Sequence, residues 1–193
     1  MTDSRFPTAA YIAQSAEIYG DVRLAKGVSV WPKVVMRAEA AHIEVGAYSN
    51  IQDFVMIHFG SDSPSIIGSY CSITHHVTVH GAKVGDHCLI GINATLMDGA
   101  VIGDNCIVAG HSIVREGSII PANSVVAGVP AKVVAQRNNG AANKLNALAY
   151  YENGLAYANG NDRRWSEAEY QQRMAEYGAE VEAQFGTGKA STT

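Results

Sequence analysis

The sequence predicts a mainly β protein, a left-handed parallel β-helix of hexapeptide repeats with a C-terminal α-helical segment. Three observations carry this reading. Aliphatic residues return at every sixth position through most of the chain, and several of them are followed by glycine. Beyond Gln136 the beat stops, and helical spacing takes its place.

The beat opens with Ile12, Ile18, Leu24, Val30 and Met36. After a short insertion it resumes at Val45, Ile51 and Ile57, and after a second at Ile67, Ile73 and Val79. One unit is a residue short. Val84, Ile90, Leu96, Ile102, Val108, Val114, Ile120 and Val126 then follow at one unbroken spacing. An amphipathic helix gives a period near 3.6 and a half-buried strand a period of 2, so neither explains six. A hexapeptide period marks a parallel β-helix, in which each unit is a short strand and a turn. The aliphatic residue points inward, and small or polar residues are expected at the corners. One unit cannot bury its apolar side alone, so neighbouring coils must stack. Units such as Val45-Gly46, Ile67-Gly68, Val84-Gly85, Ile90-Gly91 and Ile102-Gly103 place glycine where the chain turns.

The pattern divides the chain into a β-helix domain over residues 1–137, a helical segment over 138–186 and a tail over 187–193 predicted to be disordered. Residues 1–11 read as a lead-in. In the second unit, residues 142–158 are rich in Ala, Leu and Tyr, and Asn159-Gly160 breaks that helix. Ser166 followed by Glu169 has the spacing of a capping box. Behind it Tyr170, Met174, Tyr177, Val181 and Phe185 fall on one helical face, a stripe suited to packing along the coil or against a neighbouring subunit.

Composition narrows the function. The formal net charge is −4, with no basic run, which argues against nucleic acid as the main partner. No segment has the length of a membrane span, and the first residues have no apolar core of a signal peptide, so a cytoplasmic location is expected. The chain has 3 cysteines, Cys71, Cys88 and Cys106, at spacings of 17 and 18, about one coil apart. They read as small apolar residues stacked inside the coil, reduced rather than disulfide-bonded.

Three of the 7 histidines fall at telling register positions. With three hexads per coil, Ile57 and Val79 share a face one coil apart. His58 and His80 follow them and stack in one column, separated by the strand spacing of roughly 4.8 Å. Two imidazoles so placed can converge on one cation, with Zn–N bonds of about 2.0–2.1 Å. His75 sits on a different face of the same region. It joins such a pair only on a neighbouring molecule, which suggests a trimer with three equivalent sites. The remaining histidines, His42, His76, His87 and His111, read as corner or turn residues. On this arithmetic alone, ordinary polar roles for His58, His75 and His80 stay open beside the metal reading.

The stretches Asn50–His58 (NIQDFVMIH), Ile73–Gly81 (ITHHVTVHG), Ile90–Asn105 (IGINATLMDGAVIGDN) and Ala127–Val134 (AGVPAKVV) resemble the γ-class carbonic anhydrases. The resemblance covers about residues 12–134, and the tail is similar to that family's helical segment. It implies a homotrimer with a divalent metal at each subunit interface, zinc by default and iron or cobalt as alternatives. Its metal ligands fall on His58, His75 and His80. Gln52 matches the glutamine beside the metal-bound water, and Asn50 matches a further position of the site. Arg37 and Glu39 match residues that hold the interface, and Asp53, one coil below His75, is a partner for a neighbour's Arg37. The implied reaction is reversible hydration of CO2 to bicarbonate, since a cation held by three neutral imidazoles brings the pKa of its water to about 7.

The sequence also departs from that family. Arg37-Ala38-Glu39 replaces Arg-Gly-Asp, and Ala40 stands where a glutamate is found near the metal water. The acidic loop carrying a proton-shuttle glutamate is absent, and Asp62 is the one acid between His58 and His75. A tyrosine late in the repeat is replaced by Val125 or Val126. Loss of general acid–base help typically costs about 10²–10⁴-fold in rate, and His76 is a candidate substitute relay. Three other readings share the coil: a metal-dependent acyl-CoA thioesterase, an acyltransferase holding CoA between subunits, and a metal-stabilised binding or scaffold trimer.

Overall fold

In a computed structural model, residues 4–61 and 63–186 are described; Asp62 and the tail 187–193 lie outside them. The chain winds as a left-handed β-helix followed by two helices. Its strands are mostly two or three residues long and stack in parallel on three faces.

The register matches the hexad count on each face. On the first, Ile12, Val30, Ile51, Ile73, Ile90, Val108 and Val126 stand one above another. On the second the column is Ile18, Met36, Ile57, Val79, Leu96 and Val114. On the third it is Leu24, Val45, Ile67, Val84, Ile102 and Ile120. These side chains fill the prism, and nearly all are fully buried. Each fully buried aliphatic side chain contributes about 1.5–3 kcal/mol relative to exposure, and the coil accumulates that term rung by rung. The strand Ala131–Gln136 reverses direction and pairs antiparallel with Ser124–Gly128, ending the stack.

The glycines after the aliphatic beat are explained by close backbone approach. A Cβ on Gly46 would lie 2.5 Å from the carbonyl carbon of Gly68, and one on Gly68 would lie 2.6 Å from that of Gly85. Elsewhere the corners differ from the expectation of small or polar residues. Tyr48, Tyr70 and His87 form one corner column and Phe54 and His76 belong to another, all in the left-handed backbone region that bulky residues seldom occupy. Stacking accompanies that conformation: Tyr48 on Tyr70 at 5.1 Å and Phe54 on His76 at 4.8 Å between ring centroids. The third corner uses glycine, at Gly81, Gly99 and Gly117.

Cys71, Cys88 and Cys106 are buried and free, stacked inside the coil. The Cys106 thiol is pushed well above its ordinary pKa, first by its contact with Cys88 and then by burial.

Helix α1, Gly140–Ala158, lies along the first face. The Asn143 side-chain amide donates to the carbonyls of His87 and Cys106, at 2.8 and 3.1 Å, tying the helix to two successive rungs. Helix α2, Ala168–Phe185, packs on α1. Tyr177 and Val181 meet Leu148, with Met174 and Phe185 at the margin, so most of the stripe read from sequence is the contact face. The capping box does not form. Ser166 ends a short 3-10 turn, Arg164–Ser166, and its hydroxyl donates to the Arg163 carbonyl at 2.8 Å. Glu167 takes the N-cap position of α2 without a side-chain cap, because Arg164 and Asn161 hold its carboxylate, at 3.0 and 2.7 Å.

Candidate metal centre

The second face carries a polar column just outside its aliphatic core. Tyr19 pairs with Arg37 in register, Arg37 with His58, and His58 with His80. The alternation of a strand turns Ile57 and Val79 inward, so the histidines after them turn outward. His58 Nδ1 and His80 Nε2 lie 3.3 Å apart. Two nitrogens bound to one tetrahedral zinc at 2.0–2.1 Å sit about 3.3 Å from each other. The separation and the chemistry of this donor pair therefore fit a divalent cation.

Carboxylates flank both rings. Glu39 Oε2 lies 3.3 Å from His58 Nε2, and Asp98 Oδ2 lies 2.8 Å from His80 Nδ1. The segment after His58 is tied down over this pair. The Ser65 hydroxyl donates to the His58 carbonyl at 2.6 Å and accepts from the Gly81 amide at 3.0 Å. Ser63 donates to the Gly81 carbonyl at 2.9 Å. These bonds fix the backbone at both histidines.

His75 stands apart, where the first face turns toward the second. Asp53 lies one coil below it as the register predicts, with Oδ2 at 3.1 Å from His75 Nδ1. Among the described residues, no three His, Cys, Asp or Glu side chains of one chain are grouped to hold a metal. One chain thus brings together two of the three predicted ligands.

The remaining predicted residues are found as follows. Arg37 Nη1 meets Glu39 Oε1 of the same chain at 2.5 Å, both about half exposed, so within one chain Glu39 bridges Arg37 and His58. Asn50 and Gln52 are buried on the first face, 0% and 2% exposed. Gln52 Nε2 donates to Asn50 Oδ1 at 2.9 Å, Asn50 Nδ2 donates to Ser72 Oγ at 2.9 Å, and Ser72 donates to Asn146 of α1 at 2.7 Å. This string joins the face to α1. Near it Trp31, Tyr11, Tyr150 and Tyr157 form an aromatic cluster. Burial, reinforced by Asp53, pushes the Tyr150 hydroxyl up to about 12. His76 is stacked on Phe54. The residue that sequence reasoning passed over is Asp98. It lies in the unit after Leu96, one place beyond the residue in register with His80, and only the fold brings it back to that ring.

Comparison with known proteins agrees with the coil. The family model for the bacterial transferase hexapeptide (six repeats) matches residues 81–116. A hexapeptide transferase family protein from Anaplasma phagocytophilum has a solved structure that is 30% identical, with a TM-score of 0.69, over 80% of this chain and 89% of that one. The chain belongs to the hexapeptide transferase family. It is also similar to carbonic anhydrases. The probable carbonic anhydrase of Methanocaldococcus jannaschii is 44% identical over 85 residues, 44% of this chain and 54% of that protein. The mitochondrial gamma carbonic anhydrase 2 of Arabidopsis thaliana is 36% identical over 94 residues, 46% of this chain and 34% of that protein. The chain spans about half or less of these two relatives. Among its described residues, no helix is long and apolar enough to cross a membrane.

Proposed function

We propose that this hexapeptide protein is a divalent-metal enzyme that hydrates CO2 to bicarbonate at a site shared between subunits of a homotrimer. The observation that carries the reading is the His58–His80 pair, with nitrogens 3.3 Å apart. His75 of a neighbouring copy completes the ligand set. The similarity to two carbonic anhydrases points to the same chemistry. When bound, the ion, zinc or alternatively iron or cobalt, supplies Lewis acidity that brings the pKa of water toward neutrality.

The chain's own residues orient and shield. Asp53 and Asp98 each engage an Nδ1, leaving the Nε2 of His75 and His80 as lone-pair donors. Arg37, Glu39 and Asp53 lie where two faces would meet and serve the interface. Gln52 and Asn50 lie buried beside Asp53, with the Gln52 side-chain amide nitrogen committed to Asn50. In this reading they hold the His75 corner against α1, and they reach substrate only if trimer assembly redirects Gln52.

A second reading is acyl transfer from a CoA thioester, favoured by the match of residues 81–116 to a transferase repeat. It needs one histidine as base and no metal. One experiment separates the two. Anaerobically purified protein and His75→Ala are measured for metal content, CO2 hydration and CoA release from acetyl-CoA. About one metal per chain, lost with hydration in the variant, supports the metal enzyme. Metal without hydration moves the reading to a metal-dependent thioesterase if thioester is cleaved, and to a scaffold trimer if it is not. A metal-free protein that transfers acyl groups sinks the proposal.

A further inference from the structure

We infer that Asp98 is the positioning residue that prepares His80 to bind a divalent cation, and that Gly60 is glycine because the Asp98 carboxylate occupies the space beside it. The inference rests on the metal reading above and deepens it.

Three observations converge. Asp98 Oδ2 lies 2.8 Å from His80 Nδ1. A carboxylate can only accept there, so the proton sits on Nδ1 and the lone pair is on Nε2, the nitrogen turned toward His58. A ligating histidine held by a carboxylate through its other nitrogen has a fixed tautomer, a fixed ring orientation and a more basic donor. Second, the other oxygen, Asp98 Oδ1, is buried with no hydrogen-bond partner. A carboxylate oxygen left so is costly, and a cation bound at His80 Nε2, across the ring, would offset part of that cost through its charge. Third, the carboxylate lies against the turn at Gly60, in the space a side chain there would take. A Cβ on Gly60 would lie 2.0 Å from Asp98 Oδ1 and 2.7 Å from Ser63 Oγ. The glycine in the turn after His58 therefore leaves the space in which the acid that orients His80 sits.

His75 has the same arrangement, with Asp53 at its Nδ1. His58 differs, because its Nδ1 faces His80 and its Nε2 faces Glu39. The residue specific to this inference is thus Asp98, acting through the His80 ring.

The test uses the full chain, stripped of metal. Wild type, Asp98→Asn, Asp98→Ala and Gly60→Ala are titrated with Co2+, read by its visible absorption, and with Zn2+ in competition with a chromophoric chelator. Nitrogen-15 correlation spectra of the wild-type apoprotein report the His80 tautomer. Expected is Nδ1–H at His80 in the wild type. Affinity is expected to fall about 10–100-fold in the Asp98 variants, with a loss in the same direction in Gly60→Ala, which alters no ligand and no carboxylate. Wild-type binding with unchanged affinity in Asp98→Asn overturns the inference and leaves the metal reading standing. An Nε2–H tautomer at His80 overturns it too, and that readout needs no variant to fold. A wild type that binds neither ion overturns both the inference and the reading beneath it.

Discussion

His58 and His80 are stacked one rung apart in register, with Nδ1 of one 3.3 Å from Nε2 of the other. His75 lies at another corner, with Asp53 Oδ2 3.1 Å from its Nδ1. The proposed division of the site, two ligands from one chain and one from the next, has a stoichiometric consequence. His58→Ala destroys the pair, and His75→Ala destroys the third ligand. Each variant alone should lose metal. Mixed after unfolding and refolding together, equal amounts should regain about a quarter of the sites, because a cyclic trimer restores a site only where the two variants are neighbours in one order. Recovery is read as bound metal per chain. No recovery from a mixture that does form trimers would rule out a site shared between subunits.

The coil itself predicts a steep response to core truncation. Ile73 is fully buried between Ile51 and Ile90. Ile73→Ala should cost about 2–5 kcal/mol, the usual range for a large-to-alanine change in a core. Denaturant unfolding at one fixed protein concentration measures it, since an oligomer's stability depends on concentration. A cost under 1 kcal/mol would mean that the coil collapses around the lost methyl groups.

Gly68 tests the close approach of neighbouring coils. Its missing Cβ would lie 2.5 Å from Asp86 Oδ1, which could swing aside, and 2.6 Å from the Gly85 carbonyl carbon, which is backbone and could not. Gly68→Ala should therefore destabilise, by about 1–3 kcal/mol as overpacking does. By contrast Gly178 has open space around it, and Gly178→Ala within α2 should be neutral or stabilising, since alanine is favoured over glycine in a helix. The pair of melting temperatures checks both.

The same glycines show what the sequence makes legible. A period of six fixes register, because each inward residue must meet the one three hexads on. That count alone places Arg37, His58 and His80 in one column, and Asp53 below His75 likewise. The count is silent about groups that reach between columns. Asp98 is in register with Gly81, not His80, and its carboxylate reaches sideways to the ring. The capping box at Ser166 misled for a similar reason. Its local spacing was right, but Arg164 and Asn161 drew Glu167 into the cap position, a contact that depends on how the turn folds back. Tyr48 and Tyr70 at left-handed corners break a local preference, and their stacking partners one coil away were invisible in the hexad rule.

The helical segment is predicted to be anchored by Glu152. Its carboxylate accepts from the Tyr177 hydroxyl at 2.6 Å and lies 3.4 Å from Arg173 Nε. Glu152→Ala leaves that hydroxyl, on a residue 5% exposed, without its acceptor. The expected cost is about 1–3 kcal/mol, felt first as faster amide exchange in α2, while metal affinity stays at the wild-type level. If exchange in α2 is unaltered, the helix is held by its apolar stripe alone.

His87 links the same region to pH. It lies between Tyr70, stacked at 5.6 Å, and Phe185, edge-on at 5.3 Å. Burial is the largest influence on its imidazole. Asp86 opposes it, Lys144 reinforces it, Asp104 and Asn105 oppose it, and the result lies below the ordinary value of 6.5. The unfolded chain takes up this proton near 6.5, whereas the folded chain waits for a lower pH. Between those points the unfolded state binds more protons, so stability falls as pH drops below 6.5 and is unaffected by this group above it. His87→Phe keeps a ring in the stack and removes the proton. The difference in unfolding free energy between wild type and variant, measured by denaturant from pH 8 to pH 5, should be flat above about 6.5 and then move steadily against the wild type. Taking the difference cancels the other histidines. Parallel curves across the whole range would show that His87 is protonated as readily in the fold as out of it.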